Sequence, residues 1–239
     1  MARSVFVLTG AGISAESGLG TFRDKDGQGI WARFDPMKLA TPEAFARDPD
    51  NVLAFYDLRR RNLLNAKPNA AHQALARLEQ ALAKRGGHLT LVTQNIDDLH
   101  ERAVSRRVIH MHGELLKARC QHCGSVRLWP EDLSPSDVCP DCGRAGGLRP
   151  HVVWFGEMPL FMDDIDRALR KADLFVAIGT SGAVYPAAGF VAEARAHGLR
   201  TCEINLEAAD NADLFDERRY GPASQTAPAW VEEFLGALP

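Results

Sequence analysis

Ser4-Val5-Phe6-Val7-Leu8-Thr9-Gly10-Ala11-Gly12-Ile13-Ser14-Ala15 sets an apolar run of strand length against a turn of small residues. The continuous run Val5 to Leu8 reads as a strand buried on both faces, the kind found in parallel sheets. Gly10 to Ala15 fits GxGxxA, in which glycines let backbone N–H groups approach a pyrophosphate at a helix N-terminus. Glycines at such a place also serve simple strand-to-helix turns, and the acidic residue that usually ends a second strand about 20 residues later is missing. The stretch points to a dinucleotide, but not to ordinary dehydrogenase geometry. Arg3 ahead of an apolar run imitates a secretory signal, yet the run stops at Thr9-Gly10, too short for export.

Further short apolar runs stand at Leu89 to Val92, Leu174 to Ile178 and Thr201 to Ile204. Between them lie segments of helical period. Asn69 can cap a helix whose inner face is Ala71, Leu75, Leu78 and Leu82, stopped by Gly86-Gly87. A second helix is expected from Pro186 to His197, and a third from Pro228 to Leu238 with Trp230, Phe234, Leu235 and Leu238 inward. Strands alternating with helices imply an α/β fold: a Rossmann-like parallel sheet with a smaller zinc-binding module and a helical insert. In that reading one domain has its sheet core at about residues 1–21, 68–112 and 151–239. A helical insert takes about 22–67, and a loop-like zinc module takes about 113–150.

Composition narrows the class. The 239 residues carry 28 Lys+Arg against 31 Asp+Glu, with 46% hydrophobic and 25% charged residues. Those proportions exclude a disordered or fibrous chain. The balanced charge argues against a broad nucleic-acid-binding face, and no apolar run approaches the roughly 20 residues of a membrane span. Cys120, Cys123, Cys139 and Cys142 form two CxxC pairs 15 residues apart, and Cys202 stands alone. An odd count in this spacing suits a metal site in a reducing compartment, so a cytoplasmic protein is expected. Four thiolates leave no open position for water, which makes a single zinc ion structural. A nucleic-acid-binding ribbon competes, but residues 113–150 hold five basic residues (Lys117, Arg119, Arg127, Arg144, Arg149) against five acidic (Glu114, Glu131, Asp132, Asp137, Asp141).

Thr93-Gln94-Asn95-Ile96-Asp97 follows an expected strand, and His110-Met111-His112-Gly113 comes soon after. Ligands of open α/β sheets bind at the carboxyl ends of strands. Asn95 and Asp97 are therefore placed to hydrogen-bond a ligand, and His112 to take a proton near neutral pH. Each could equally be a loop cap or a satisfied core group. The acceptance of all of them as site residues rests on their company.

That company is specific. Gly10-Ala11-Gly12-Ile13-Ser14, Phe22-Arg23-Asp24, Thr93-Gln94-Asn95-Ile96-Asp97, His110-Met111-His112-Gly113, the two CxxC pairs, Val153-Trp154-Phe155-Gly156-Glu157, Gly179-Thr180-Ser181 and Ile204-Asn205 resemble, in order, the motifs of the sirtuins. These are NAD-dependent protein lysine deacylases, and the bacterial members look most similar. The resemblance runs from Val5 to about Leu235. It implies a reaction in which the acyl-lysine carbonyl oxygen attacks the nicotinamide-bearing ribose carbon of NAD and nicotinamide leaves. The intermediate is then opened with help from a histidine, giving free lysine and O-acyl-ADP-ribose.

Carried over by position, the resemblance makes His112 the base and gives Asn95 a catalytic part. Gln94, Asn95, Ile96 and Asp97 would hold nicotinamide and its ribose, and Gly10, Ala11, Gly12, Ser14, Ala15 and Glu16 the turn around the phosphates. Phe22 would cover the reacting carbon. Arg23 would sit in a cofactor loop whose Gly20, Gly27 and Gly29 fit a mobile lid. Gly179, Thr180, Ser181, Asn205, Leu206 and Glu207 would surround the adenosine half, with Ala223 against adenine. An acyl-lysine protein segment would add as a strand between Val153, Phe155, Gly156 and Glu157 on one side and Val184 on the other. Ala40, Tyr56 and Arg59 match the class that removes succinyl, malonyl and glutaryl groups as well as acetyl. A phenol and a guanidinium at i and i+3 on one helix face can pair with a distal carboxylate.

Mono-ADP-ribosyl transfer from the same NAD site is the alternative activity, and an NAD-sensing scaffold the non-catalytic one. The expected molecule is a monomer with no membrane and no nucleic-acid partner, starting at its first strand without a targeting tail. One departure stands out: Val104 occupies a position where the family usually has glycine, which should alter a helix end.

Overall fold

The computed structural model describes residues 4–21, 30 and 34–238. Six parallel strands form the larger sheet: β1 (Ser4–Thr9), β2 (His88–Thr93), β3 (Val108–His110), β7 (Leu174–Ile178), β8 (Arg200–Asn205) and β9 (Glu217–Tyr220). Their order is β3-β2-β1-β7-β8-β9, the doubly wound arrangement in which the crevice beside the first strand binds the ligand. Four of these were expected; β3 and β9 are short edge strands of three and four residues, without the long apolar run that marks a buried strand.

Alternation along β1 feeds two cores. Val5 and Val7 pack with Leu89, Leu91, Val176 and Ile178 on one face. That face is covered by α5 (Ala70–Lys84) and α9 (Ala223–Gly236), which contribute Leu75, Leu78, Leu82, Trp230 and Val231. Phe6 and Leu8 join Val92, Phe175 and Ala177 on the other, beneath α7 (Met162–Leu169) and α8 (Phe190–Ala196). Asn69 caps α5 as expected, with His72 closing a capping box. The third expected helix begins five residues earlier than Pro228, at Ala223, and runs through that proline. The second divides into a 3₁₀ turn, Ala187–Gly189, followed by α8.

Residues 113–150, expected to be loop-like, instead build an antiparallel sheet, β5-β4-β6, from β4 (Gly113–Cys120), β5 (Val126–Leu128) and β6 (Leu148–Val152). A register shift between Glu114 and Ala118 interrupts the alternation, which is why period-two reading missed β4. Before β2 come α1 (Gly12–Ala15), α2 (Pro36–Leu39), α3 (Pro42–Arg47) and α4 (Pro49–Asn65). Asp35, Thr41 and Asp48 cap α2 to α4 through side-chain oxygens, each followed by proline at the first helical position. α4 packs its Val52, Leu53, Tyr56 and Leu63 into a third core with Leu115, Leu133, Leu148 and Trp154 of the smaller sheet and its loops. Within it Asp57 pairs with the fully buried Arg60 and accepts the Leu133 N–H at 3.1 Å, tying α4 to the cysteine-bearing module.

Candidate active site

The turn after β1 crosses the end of β7 in close contact. A Cβ added at Gly10 would lie 2.7 Å from the Gly179 carbonyl oxygen, and one at Gly12 would lie 2.7 Å from Gly179 Cα. Gly179 itself sits at φ 64°, where glycine is strain-free. The three glycines are thus required by the crossing itself, with Gly10 N–H donating to the Ile178 carbonyl and Gly12 N–H to the Gly179 carbonyl, and the crossing sets the first turn of α1 at the switch point.

Beside it a cleft of about 250 Å³ is lined by Ala11, Ser14, Gly20, Ile30, Phe55, Arg59, Asn95, Ile96, Asp97 and Leu115, among others. Its polar floor is one connected network. Asn69 N–H donates to His72 Nδ1 at 3.3 Å, which leaves the His72 Nε2–H to face Ser14 Oγ, also at 3.3 Å. Ser14 accepts from Asn95 Nδ2 at 3.1 Å and donates to Asp97 Oδ2 at 3.0 Å. Leu99 N–H reaches the other Asp97 oxygen at 3.1 Å. Burial lowers His72 to about 4, so the ring stays neutral and its hydrogen bonds keep one direction. Burial raises Asp97 above the ordinary carboxylate value, opposed by the Leu99 and Ser14 bonds.

His112, just past β3, is half-buried, and its Nδ1 donates to the Gln94 carbonyl at 3.0 Å. That bond assigns the neutral tautomer: the proton sits on Nδ1 and the Nε2 lone pair is free to act as a base. Burial holds His112 below its ordinary 6.5, against a smaller raising effect of the Gln94 carbonyl. It is therefore a neutral base near pH 7.

The residues expected around the adenosine half cluster at the ends of β7 and β8. Asn205 Nδ2 donates to the Thr180 carbonyl at 2.8 Å, and Leu206 and Glu207 are exposed beside it. The buried Glu203 accepts from Ala209 N–H and Tyr220 OH, fastening the loops around them. The Glu16 carboxylate takes the Ser224 N–H and hydroxyl at 2.8 and 2.6 Å, joining α1 to the start of α9 near Ala223. Ala15 is exposed at the end of α1. Phe22, Arg23, Gly27 and Gly29 lie outside the described residues.

On the acyl side the three expected residues part company. Arg59 lines the cleft together with Asn95 and Asp97. Burial lowers its pKa, and Tyr56 and Asp97 raise it. Tyr56 lies in the core behind it, 4% exposed, and its hydroxyl oxygen accepts from Trp154 Nε1 at 2.9 Å. Burial pushes the phenol up to about 12, so Tyr56 remains a neutral donor. Trp154 is clamped in turn: the Arg149 guanidinium lies 3.2 Å from its ring centroid, and Glu157 accepts its N–H at 2.8 Å and both Arg149 arms at 2.7 and 3.0 Å. Ala40 is buried, and its carbonyl accepts Phe155 N–H at 2.9 Å. Val153 N–H likewise goes to His112 O at 2.8 Å, so those two amides are engaged before any strand is added. Val184 and Gly156 remain at the surface.

The thiols of Cys120, Cys123, Cys139 and Cys142 all lie within 4.8 Å of one another, with two Sγ pairs at 3.8 Å. A tetrahedron of Zn–S bonds of about 2.3 Å sets sulfurs near 3.8 Å apart, so these residues fit a structural zinc ion. Cys202 stands apart in β8, buried, its thiol pushed up to about 12 by that burial. Sequence reasoning missed His72, Glu203, Arg149 and the Asp57–Arg60 pair. Only His72 left a signal, at the third position after the Asn69 cap.

Comparison with known proteins completes the assignment. A profile of the Sir2 family matches residues 10–186. An NAD-dependent protein deacylase of Caulobacter vibrioides is 65% identical over 236 residues, covering 98% of each chain. A solved Sir2 homologue mutant in complex with ADP ribose superposes with a TM-score of 0.90 at 39% identity, over 100% of this chain and 95% of the other. A Sir2 bound to acetylated peptide superposes with a TM-score of 0.79 at 28% identity, over 98% and 94%. Among the described residues no helix is long and apolar enough to cross a membrane. With the glycine crossing at the switch point, the neutral histidine and the four-thiol cluster all in one sheet-and-module frame, the chain belongs to the Sir2 family.

Proposed function

We propose that this chain is an NAD-dependent deacylase that removes acidic acyl groups, succinyl, malonyl and glutaryl, as well as acetyl, from protein lysines. The observation that carries the acyl reading is Arg59, whose guanidinium shares the cleft with Asn95 and Asp97. A cation in that place offers bidentate hydrogen bonds to a distal carboxylate, while an acetyl group leaves it without that partner. Tyr56 backs Arg59 from the core, its hydroxyl oxygen accepting from Trp154 Nε1.

NAD supplies the electrophilic ribose carbon and the nicotinamide leaving group. This chain's residues do the rest. The turn after β1 would receive the phosphates, Asn95 and Asp97 would hold the nicotinamide end, and Ser14 orients both through its two bonds to them. His112, with Nδ1 tied to Gln94, takes a ribose hydroxyl proton on Nε2. The expected products are free lysine, nicotinamide and O-acyl-ADP-ribose. Cys120, Cys123, Cys139 and Cys142 would hold one zinc ion that braces the smaller sheet. The substrate would lie as an extended segment between residues 153–157 and Val184, held mainly by main-chain bonds.

Mass spectrometry of matched acetyl-lysine and succinyl-lysine peptides, with and without NAD, tests the reading. NAD-dependent loss of both groups supports it. Acetyl loss alone keeps the deacylase and removes the acyl assignment. NAD consumption with neither peptide changed would favour ADP-ribosyl transfer.

A further inference from the structure

His110, at the end of β3, is buried and takes no part in the chemistry above. Its Nδ1 lies 3.3 Å from the Asn95 carbonyl and its Nε2 lies 2.7 Å from Glu101 Oε1, on α6 (Leu99–Arg102). A carbonyl only accepts, and so does a carboxylate. A neutral imidazole carries one N–H and can serve one of the two. The imidazolium serves both. Its neighbours in the network are neutral by contrast: His72 accepts a backbone N–H, and burial holds His100 well below its ordinary value. His110 and His112, two residues apart, thus grip successive carbonyls of the loop after β2, Asn95 and Gln94.

We propose that Glu101 and His110 are a positioning pair for the nicotinamide end of the site. Glu101 keeps His110 doubly protonated, and His110 clamps the Asn95 carbonyl so that the Asn95 amide and the Asp97 carboxylate stay aimed into the cleft. The ligand of that subsite rests on the deacylase reading; the protonation of the pair does not.

The groups facing His110 are Glu101 and His100 from α6, Asp97 and the Asn95 carbonyl from the loop, and Glu114 from β4. Burial alone would lower His110. The Glu101 hydrogen bond and charge, aided by Glu114 and the Asn95 carbonyl, carry it above 6.5 instead. As pH rises through that raised value one arm of the clamp is lost, so NAD-dependent turnover declines on the alkaline side. His112 acts in the opposite sense: its proton must be absent, so turnover declines on the acid side, below 6.5.

Heteronuclear NMR of the imidazole nitrogens near neutral pH, with pH profiles of kcat/KM for NAD on an acetyl-lysine peptide, tests the pair. In the wild type one buried imidazole should carry protons on both nitrogens. Glu101→Gln, at a half-exposed side chain, should lower its titration by about one unit or more. The same variant should raise KM for NAD by about tenfold to a hundredfold, the scale of a misplaced binding group. The alkaline limb should move down with the acid limb unchanged, and Glu101→Asp should restore part of it. A wild-type His110 with a single ring proton overturns the proposal. So does a Glu101→Gln enzyme with KM for NAD and alkaline limb unmoved. A wild type that consumes no NAD with any acyl peptide sinks the deacylase reading instead, and the NMR measurement still decides the pair.

Discussion

The two walls of the cleft are built on different plans. The wall proposed for nicotinamide is made of short contiguous segments, 10–16 and 93–97 with 110–112 behind them, each leaving a strand of one parallel sheet. Parallel strands deliver their carboxyl ends to the same rim, so motifs far apart in the chain meet there without further instruction. The wall proposed to read the acyl group presents Arg59 from α4, backed in the core by Tyr56, Trp154, Arg149 and Glu157, which hold one another by side chains. Its geometry depends on α4 packing on the smaller sheet, through contacts such as Asp57 to Leu133. The first wall should therefore survive damage to the module that the second does not.

The harshest way to break this comparison is to remove the metal site. Cys139→Ser, or chelation, should cost on the order of 10 kcal/mol of module stability. Metal analysis should read one zinc per wild-type chain and none in the variant, and limited proteolysis should cut first within 113–150. If the six-stranded sheet melts in the same transition, the walls are not separable.

His112→Ala attacks the other wall. Deacylation should fall about 10²- to 10⁴-fold with the melting temperature nearly unchanged, as followed by steady-state kinetics and calorimetry. Because burial lowers His112, the wild-type base persists below its ordinary 6.5 and activity is lost only as pH falls through the lowered value. Equal loss of activity and stability would make His112 a structural residue.

Arg59→Met sharpens the acyl side. Desuccinylation should drop about 10²-fold, the scale of leaving a desolvated carboxylate unpaired, while deacetylation changes by a few-fold. Equal loss of both would show that Arg59 does not read the carboxylate.

The smallest effect concerns Val104, in the helix end beside the first wall. Its N–H donates to Glu101 O and the next N–H, from Ser105, to His100 O, the double bond pattern that closes a helix with a left-handed residue. Val104 sits there at φ 68°, a conformation costly for a β-branched side chain. Val104→Gly should stabilise the protein by about 1 kcal/mol, raising the melting temperature roughly 2–4 °C without altering turnover.

Much of the first wall was legible because its signals are local. A glycine pattern after an apolar run, or two CxxC turns, needs only neighbouring residues to be recognised, and Asn69 capping α5 follows the same logic. Reading failed where the signal was interrupted or shared. The bulged strand β4 lost its alternation, β3 and β9 were too short and polar to stand out, and α9 hid its first turn behind Pro228. Glu16, expected among the cofactor-binding residues, also fastens α9, a contact no local pattern announced.

Periodicity and residue spacing by themselves encode the parallel sheet, the glycine turn after β1 and the paired CxxC turns, and the ordered motifs carry the resemblance to the Sir2 family. Tertiary structure alone decided which side chains face the cleft. Tyr56 turns to Trp154 while Arg59, three residues on, enters the cleft, and His110 and His112 divide between a carboxylate partner and an open base. Protonation and direction belong to burial and to partners up to about a hundred residues away in the chain, and no local pattern carries that information.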